Sequence, residues 1–123
     1  MTSALFVYGT LMEGQSQAGL LGGLPRRAGT VRGTLWDMPA GYPALGPGVE
    51  VVHGEIVSGV DERRLFVLDA YEGIDEGLYR RVEVEVQIGL RVEGAWAYRM
   101  DDPRLRGGRK VVSGRWHPTR RRG

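Results

Sequence analysis

From Tyr79 to Ile88 the chain alternates cleanly, with Val82, Val84, Val86 and Ile88 on one side and Glu83, Glu85 and Gln87 on the other. In an extended strand successive side chains point to opposite faces, so a period of two predicts a strand with one face on a core and the other in water. The chain must therefore build a sheet. Its twenty glycines, about 16% of 123 residues against an average of about 7%, are scattered between short apolar runs without a repeat. That spacing predicts many tight turns between short strands.

The other elements follow from pattern and punctuation. Leu5 to Tyr8 reads as a buried first strand. Glu13 to Leu21 reads as a short helix stopped by Gly22-Gly23. Arg27 to Trp36 reads as a strand bent at Gly29 and Gly33, and Asp37 to Gly48 as a loop holding Pro39, Tyr42, Pro43 and Pro47. Val49 to Val57 is a further strand. A helix of about a dozen residues follows from its N-cap Asp61, with Leu65, Phe66, Leu68 and Asp69 near one face and Glu72 near its end. Ala95 to Met100 is the last main strand, joined to the alternating one through a Gly89 to Gly94 turn region, and loop and tail follow Asp101. The expected architecture is a single-domain α+β fold: a mixed curled sheet or small β-barrel with two short helices, over residues 1–112, followed by a basic tail over 113–123.

With 41% apolar and 26% charged residues, the composition is that of one globular domain able to bury a core. The absence of cysteine removes disulfides, thiolate metal ligands and a cysteine nucleophile together. No apolar run approaches the roughly twenty residues of a membrane-spanning helix, and Met1-Thr2-Ser3-Ala4 lacks the positive region of a secretory signal. A cytoplasmic protein without a membrane partner is expected. Much of the net charge of +2 sits at the end, in Arg115, Arg120, Arg121 and Arg122. Such a tail could touch an acidic partner, but it is no nucleic-acid-binding domain, and no nucleic-acid partner is expected. His53 and His117 are far apart in sequence without cysteine neighbours, so no zinc site is expected. The glycines lack the spacing of a dinucleotide or nucleoside-triphosphate loop, so no cofactor is expected either. The oligomeric state stays open.

Two segments carry chemistry. In Leu5-Phe6-Val7-Tyr8-Gly9-Thr10-Leu11, an apolar strand breaks at a glycine, and a turn there exposes consecutive main-chain N–H groups suited to a carboxylate or phosphate. If the next helix starts there, its N-terminus adds to that affinity. In Leu68-Asp69-Ala70-Tyr71-Glu72-Gly73, Glu72 lies among apolar neighbours, and desolvation would raise its pKa toward the range useful for proton transfer. Asp69, Asp75 and Glu76 could add a like-charge contribution. Read blandly, Glu72 is a solvated helix end, Gly9 a strand-ending turn and Tyr8 a half-buried core aromatic.

The chain resembles the gamma-glutamylcyclotransferase-like family, most closely its small members of the gamma-glutamylamine cyclotransferase type. The matching pieces are Phe6 to Leu11, Gly14-Gln15, Tyr42-Pro43-Ala44-Leu45, His53-Gly54-Glu55-Ile56, Leu68-Asp69, Tyr71-Glu72-Gly73, Tyr79-Arg80-Arg81 and Ala97-Tyr98, in family order over nearly the whole length. Ser113-Gly114-Arg115-Trp116 resembles a Ser-Gly-Asp-Trp stretch of small members, with Arg115 in place of the acid. The resemblance implies a barrel-like α+β fold with a cavity, a substrate-binding loop at Tyr8, Gly9, Thr10 and Leu11, and Glu72 as catalytic acid/base. Tyr79 is a candidate to line the cavity. The implied partner is a small gamma-glutamyl compound, from which pyroglutamate and a free amine or amino acid would be released. A module of the same fold that binds a small carboxylate without chemistry is the alternative. The implied reaction needs no enzyme nucleophile, which suits a chain without cysteine.

Overall fold

The computed structural model describes residues 3–12, 14–15, 18–73 and 77–117. Six strands and one α-helix are found there: β1 (Leu5–Val7), β2 (Arg26–Asp37), β3 (Pro43–Val57), α1 (Glu62–Tyr71), β4 (Arg80–Ile88), β5 (Arg91–Arg99) and β6 (Arg109–Lys110). β1 pairs antiparallel with β3, β3 with β2, β2 with β4 and β4 with β5, and β5 returns parallel to β1. The ring closes, so five strands form a small barrel and leave no long open edge. β6 extends the rim beside Trp36 and Asp37.

The alternating segment is β4 as read, with Val86 buried and Glu83, Glu85 and Gln87 exposed. β4 and β5 turn at Gly89-Leu90 alone, because Ile88 already pairs with Arg91; the hairpin is tighter than the six-residue turn expected. β3 begins at Pro43, so most of the expected loop is strand. The register jumps from Gly33 opposite Glu50 to Thr34 opposite Gly46, which leaves Pro47, Gly48 and Val49 in a bulge. Proline suits that place, since a bulge needs no ladder N–H, and the Thr34 hydroxyl donates to the Pro47 carbonyl at 2.9 Å.

Of the two helices expected, only the second is α-helical among the described residues. The described part of the Glu13 to Leu21 segment is turns and a 3-10 helix at Ala18–Leu21; Glu13, Ser16 and Gln17 lie outside the described residues. α1 starts as read, the Asp61 side chain accepting from the Arg64 N–H at 2.9 Å. Leu65 and Leu68, three apart on one face, are buried, whereas Phe66 falls off that face and is 76% exposed.

Period two along β1 divides the core. Phe6 and Tyr8 point into a cluster fed by all five barrel strands, including Val31, Val52, Ile56, Val86 and Ala97. Leu5 and Val7 point the other way, toward Leu65 and Leu68 of α1 and toward Tyr79, Tyr98 and Met100. The barrel-interior cluster also takes in Trp116, 5% exposed, whose segment is tied down where the His53 N–H donates to the Gly114 carbonyl at 2.8 Å. Residues 118–123, with Arg120, Arg121 and Arg122, lie outside the described residues. Among the described residues no helix is long and apolar enough to cross a membrane.

Candidate active site

The loop after β1 is shaped by one close approach: a Cβ on Gly9 would overlap Pro43 Cγ, so only glycine lets the loop lie against the start of β3. The Met12 N–H closes the turn onto the Gly9 carbonyl at 2.9 Å. Arg26 of β2 holds its far side, donating from Nη1 to the Leu11 carbonyl at 2.7 Å and to Glu55 Oε1 at 2.9 Å. Among the described residues, the N–H groups of Gly9, Thr10 and Leu11 meet no backbone acceptor. Among the described residues no α-helix starts at this loop, so the anion affinity expected from a helix N-terminus falls to the turn there.

These residues line a cavity of about 230 Å³, closed by Tyr42 and Pro43, by Tyr71 and Glu72 from the end of α1, and by Leu78, Tyr79 and Tyr98. Tyr8, Gly9, Thr10, Leu11, Glu72 and Tyr79, all singled out in the sequence, therefore meet in one place. Glu72 is the C-cap of α1. Its N–H donates to the Leu68 carbonyl at 2.8 Å, and Gly73, at φ +70°, then turns the chain away in a conformation that favours glycine. The helix end aims the carboxyl at the cavity, and burial raises its pKa from 4.5 to about 7. Among the described residues no like charge adds to it. Asp75 and Glu76 lie outside the described residues, and Asp69 faces elsewhere.

Every buried phenol around Glu72 has a wall partner. Tyr8 donates to the Tyr98 carbonyl at 2.7 Å, Tyr79 to the Pro43 carbonyl at 2.5 Å, and Tyr98 to Asp69 Oδ1 at 2.7 Å. Burial pushes the pKa of Tyr8 and Tyr79 up, followed by the charge of Glu72 for Tyr8 and by Tyr8 and then Glu72 for Tyr79; for Tyr98 burial and the Asp69 hydrogen bond come first. Thr10 Oγ1 and the Tyr71 hydroxyl lie 3.4 Å apart.

Tyr98 is an addition to the expected site residues, and Asp69 is more than the helix-face residue and neighbouring charge that the sequence suggests. Asp69 instead clamps the helix to the barrel: Arg81 Nε and Nη2 reach its two oxygens at 3.0 and 3.3 Å, and the Arg81 guanidinium lies 4.5 Å from the centre of the Trp96 ring. The signal that would have found them is register. A two-residue turn at Gly89-Leu90 places Arg81 directly opposite Tyr98, on the same face.

The chain's sequence matches the family described as gamma-glutamyl cyclotransferase, AIG2-like, over residues 5–118. No curated protein matches it. Among solved structures, YkqA of Bacillus subtilis superposes with a TM-score of 0.75 at 26% identity, over 94% of this chain and 40% of YkqA. An AIG2-like protein of Mus musculus gives a TM-score of 0.76 at 23% identity, over 98% of both chains. An uncharacterized protein of Pyrococcus horikoshii gives 0.71 at 23%, over 93% of this chain and 89% of the other. The chain thus spans well under half of YkqA but nearly the whole mouse protein. A match over almost its entire length and a barrel of the same shape place this chain in the gamma-glutamyl cyclotransferase, AIG2-like family.

Proposed function

We propose that the protein is a cofactor-independent cyclotransferase that releases pyroglutamate and a free amine or amino acid from a gamma-glutamyl compound, with Glu72 as general acid/base. One observation carries this reading: a carboxyl held near neutrality by burial faces the same small cavity as three backbone N–H groups that meet no backbone acceptor among the described residues. The N–H groups of Gly9, Thr10 and Leu11 suit the substrate's α-carboxylate, a role that water, with donors that must reorganise, fills less well. Folding the gamma-glutamyl chain within about 230 Å³ brings its α-nitrogen to its own γ-carbonyl carbon, so the nucleophile is supplied by the substrate.

Ionised Glu72 takes one proton from the α-ammonium. The freed amine attacks the γ-carbonyl carbon, a C–N bond forms, and the carbonyl π electrons move to oxygen. Collapse of that oxyanion breaks the bond to the leaving nitrogen, which receives the proton from Glu72; the carboxylate then takes the second proton from the ring nitrogen, leaving the lactam N–H, and passes it to the freed amine, which departs as an ammonium. Pyroglutamate and amine leave, and the carboxylate is restored. A carboxyl with a pKa near 7 can take and return a proton at neutral pH with little bias either way.

The test is to incubate the parent and Glu72→Gln with gamma-glutamyl amines and gamma-glutamyl amino acids and to quantify pyroglutamate by mass spectrometry. The parent is expected to turn over at least one of them, and the variant to lose about 100-fold or more. A well-folded Gln variant with parental turnover overturns the role of Glu72. Substrates recovered intact from the parent would favour the module that binds a small carboxylate without chemistry.

A further inference from the structure

The three buried phenols differ from ordinary pocket tyrosines in where their protons go. A hydroxyl has one proton and two lone pairs, and a carbonyl oxygen has no proton to give. Tyr8 on the Tyr98 carbonyl and Tyr79 on the Pro43 carbonyl must therefore be donors, at 2.7 and 2.5 Å. Tyr98 donates to an Asp69 carboxylate whose oxygens already receive the Arg81 fork. All three protons are committed to the wall. What these oxygens can still offer a ligand is lone pairs.

We infer that Tyr8, Tyr79 and Tyr98 form, together with the Glu72 carboxylate, an acceptor-only seat for a primary ammonium group, and that none of the three can donate to the developing oxyanion. Resting on the cyclotransferase reading, this assigns the seat to the substrate's α-ammonium: one of its N–H bonds faces Glu72 and the others meet phenol oxygens. Glu72 and all three phenols line the one cavity. Donor duties fall to the backbone N–H groups of Gly9, Thr10 and Leu11 and to the Thr10–Tyr71 hydroxyl pair, whose 3.4 Å contact leaves at least one proton uncommitted. The cavity is thereby divided into a side that accepts and a side that donates, and a gamma-glutamyl head group fits it in one orientation. A ligand carrying an anion where the ammonium belongs would face only lone pairs and a carboxylate.

The discriminating probes are L-glutamate and glutarate, which share two carboxylates and differ in the ammonium alone. Calorimetric binding to the parent at pH 8 is expected to favour L-glutamate by about tenfold or more, the size of a charge-assisted hydrogen-bond set. Tyr79→Phe and Tyr98→Phe should each shrink that ratio while leaving glutarate binding nearly unchanged. L-Glutamate binding no better than glutarate, absent binding included, overturns the inference. So does a folded Phe variant that loses both ligands equally, because that is the signature of a lost donor. The parent's ratio needs no variant, so misfolding cannot hide the answer. Neither probe has to be turned over: an ammonium preference in a parent that releases no pyroglutamate would sink the cyclotransferase reading and leave the seat standing.

Discussion

Two aromatic groups, about equally buried, are held in opposite ways. Around Glu72, the hydroxyls of Tyr8, Tyr79 and Tyr98 have each found a carbonyl or carboxylate. In the barrel interior Trp116 is 5% exposed, and its indole N–H meets no acceptor among the described residues. Buried polar atoms are nearly always paired, and leaving one unpaired costs about 1–3 kcal/mol. The cavity wall, Tyr8 at its border with the interior included, is therefore specified by directed hydrogen bonds, and the seat of Trp116 by shape and apolar area. A change at the cavity should register in protonation and ligand chemistry, and a change at Trp116 in stability alone.

The largest effect expected comes from Glu72. Burial lifts its carboxyl from 4.5 to about 7, so the folded state disfavours the charged form. The sign follows: below the unfolded pKa nothing is lost, stability falls as pH rises through the interval to about 7, and above it the loss is constant. Glu72→Gln should therefore leave stability nearly unchanged at pH 4 and raise it at pH 8 by up to about 3 kcal/mol, read from urea unfolding at the two pH values. An identical shift at both would mean that the carboxyl is solvated and that the cavity holds no proton-tuning group. The same ionisation gives turnover in the parent an ascending limb with an inflection near 7.

How much of this contrast could be read from the chain depends on the range of the interaction. The alternation of Val82, Val84, Val86 and Ile88 is local and gave β4 directly, and the Asp61 cap gave the start of α1. Glu72, Gly9 and Tyr79 were legible through short motifs that sit at element ends. Pairings set by the closing of the barrel were not. Pro43 and Pro47 look like loop residues until the jump at Gly33/Thr34 shows where a bulge can hold one of them. Glycine-rich Gly89 to Gly94 hid a two-residue turn, and with it the register that brings Arg81 and Tyr98 face to face and, through Asp69, to α1. Trp116 sits beside arginines in the sequence, and nothing local says that it enters a core built by strands far from it.

A middle-sized effect should separate two glycines. Gly9→Ala drives a methyl into Pro43, and relief requires the binding loop to move; a loss of about 1–3 kcal/mol together with loss of L-glutamate binding is expected. Gly94→Ala in β5 meets nothing within 4 Å and should stay within about 0.5 kcal/mol of the parent with binding intact. Thermal unfolding and calorimetry on both variants check the pair. If Gly9→Ala binds as the parent does, the loop is not the carboxylate cradle.

The smallest effect is the most direct probe of the contrast. Tyr79→Phe removes a hydroxyl and strands the buried Pro43 carbonyl, at a cost of about 1–2 kcal/mol. Trp116→Phe removes more volume, which costs transfer and cavity energy, but it also removes a buried donor without a partner, and the two contributions oppose each other. Its net cost should stay below that of Tyr79→Phe despite the larger deletion. Denaturant midpoints of the two variants at one pH decide the matter. If Trp116→Phe is the more damaging, the indole N–H has an acceptor after all, and a buried water would be the natural one, since such sites hold water where polar groups line them. Both groups would then be specified by hydrogen bonds, and the division between a chemically tuned cavity and a shape-filled interior would fall.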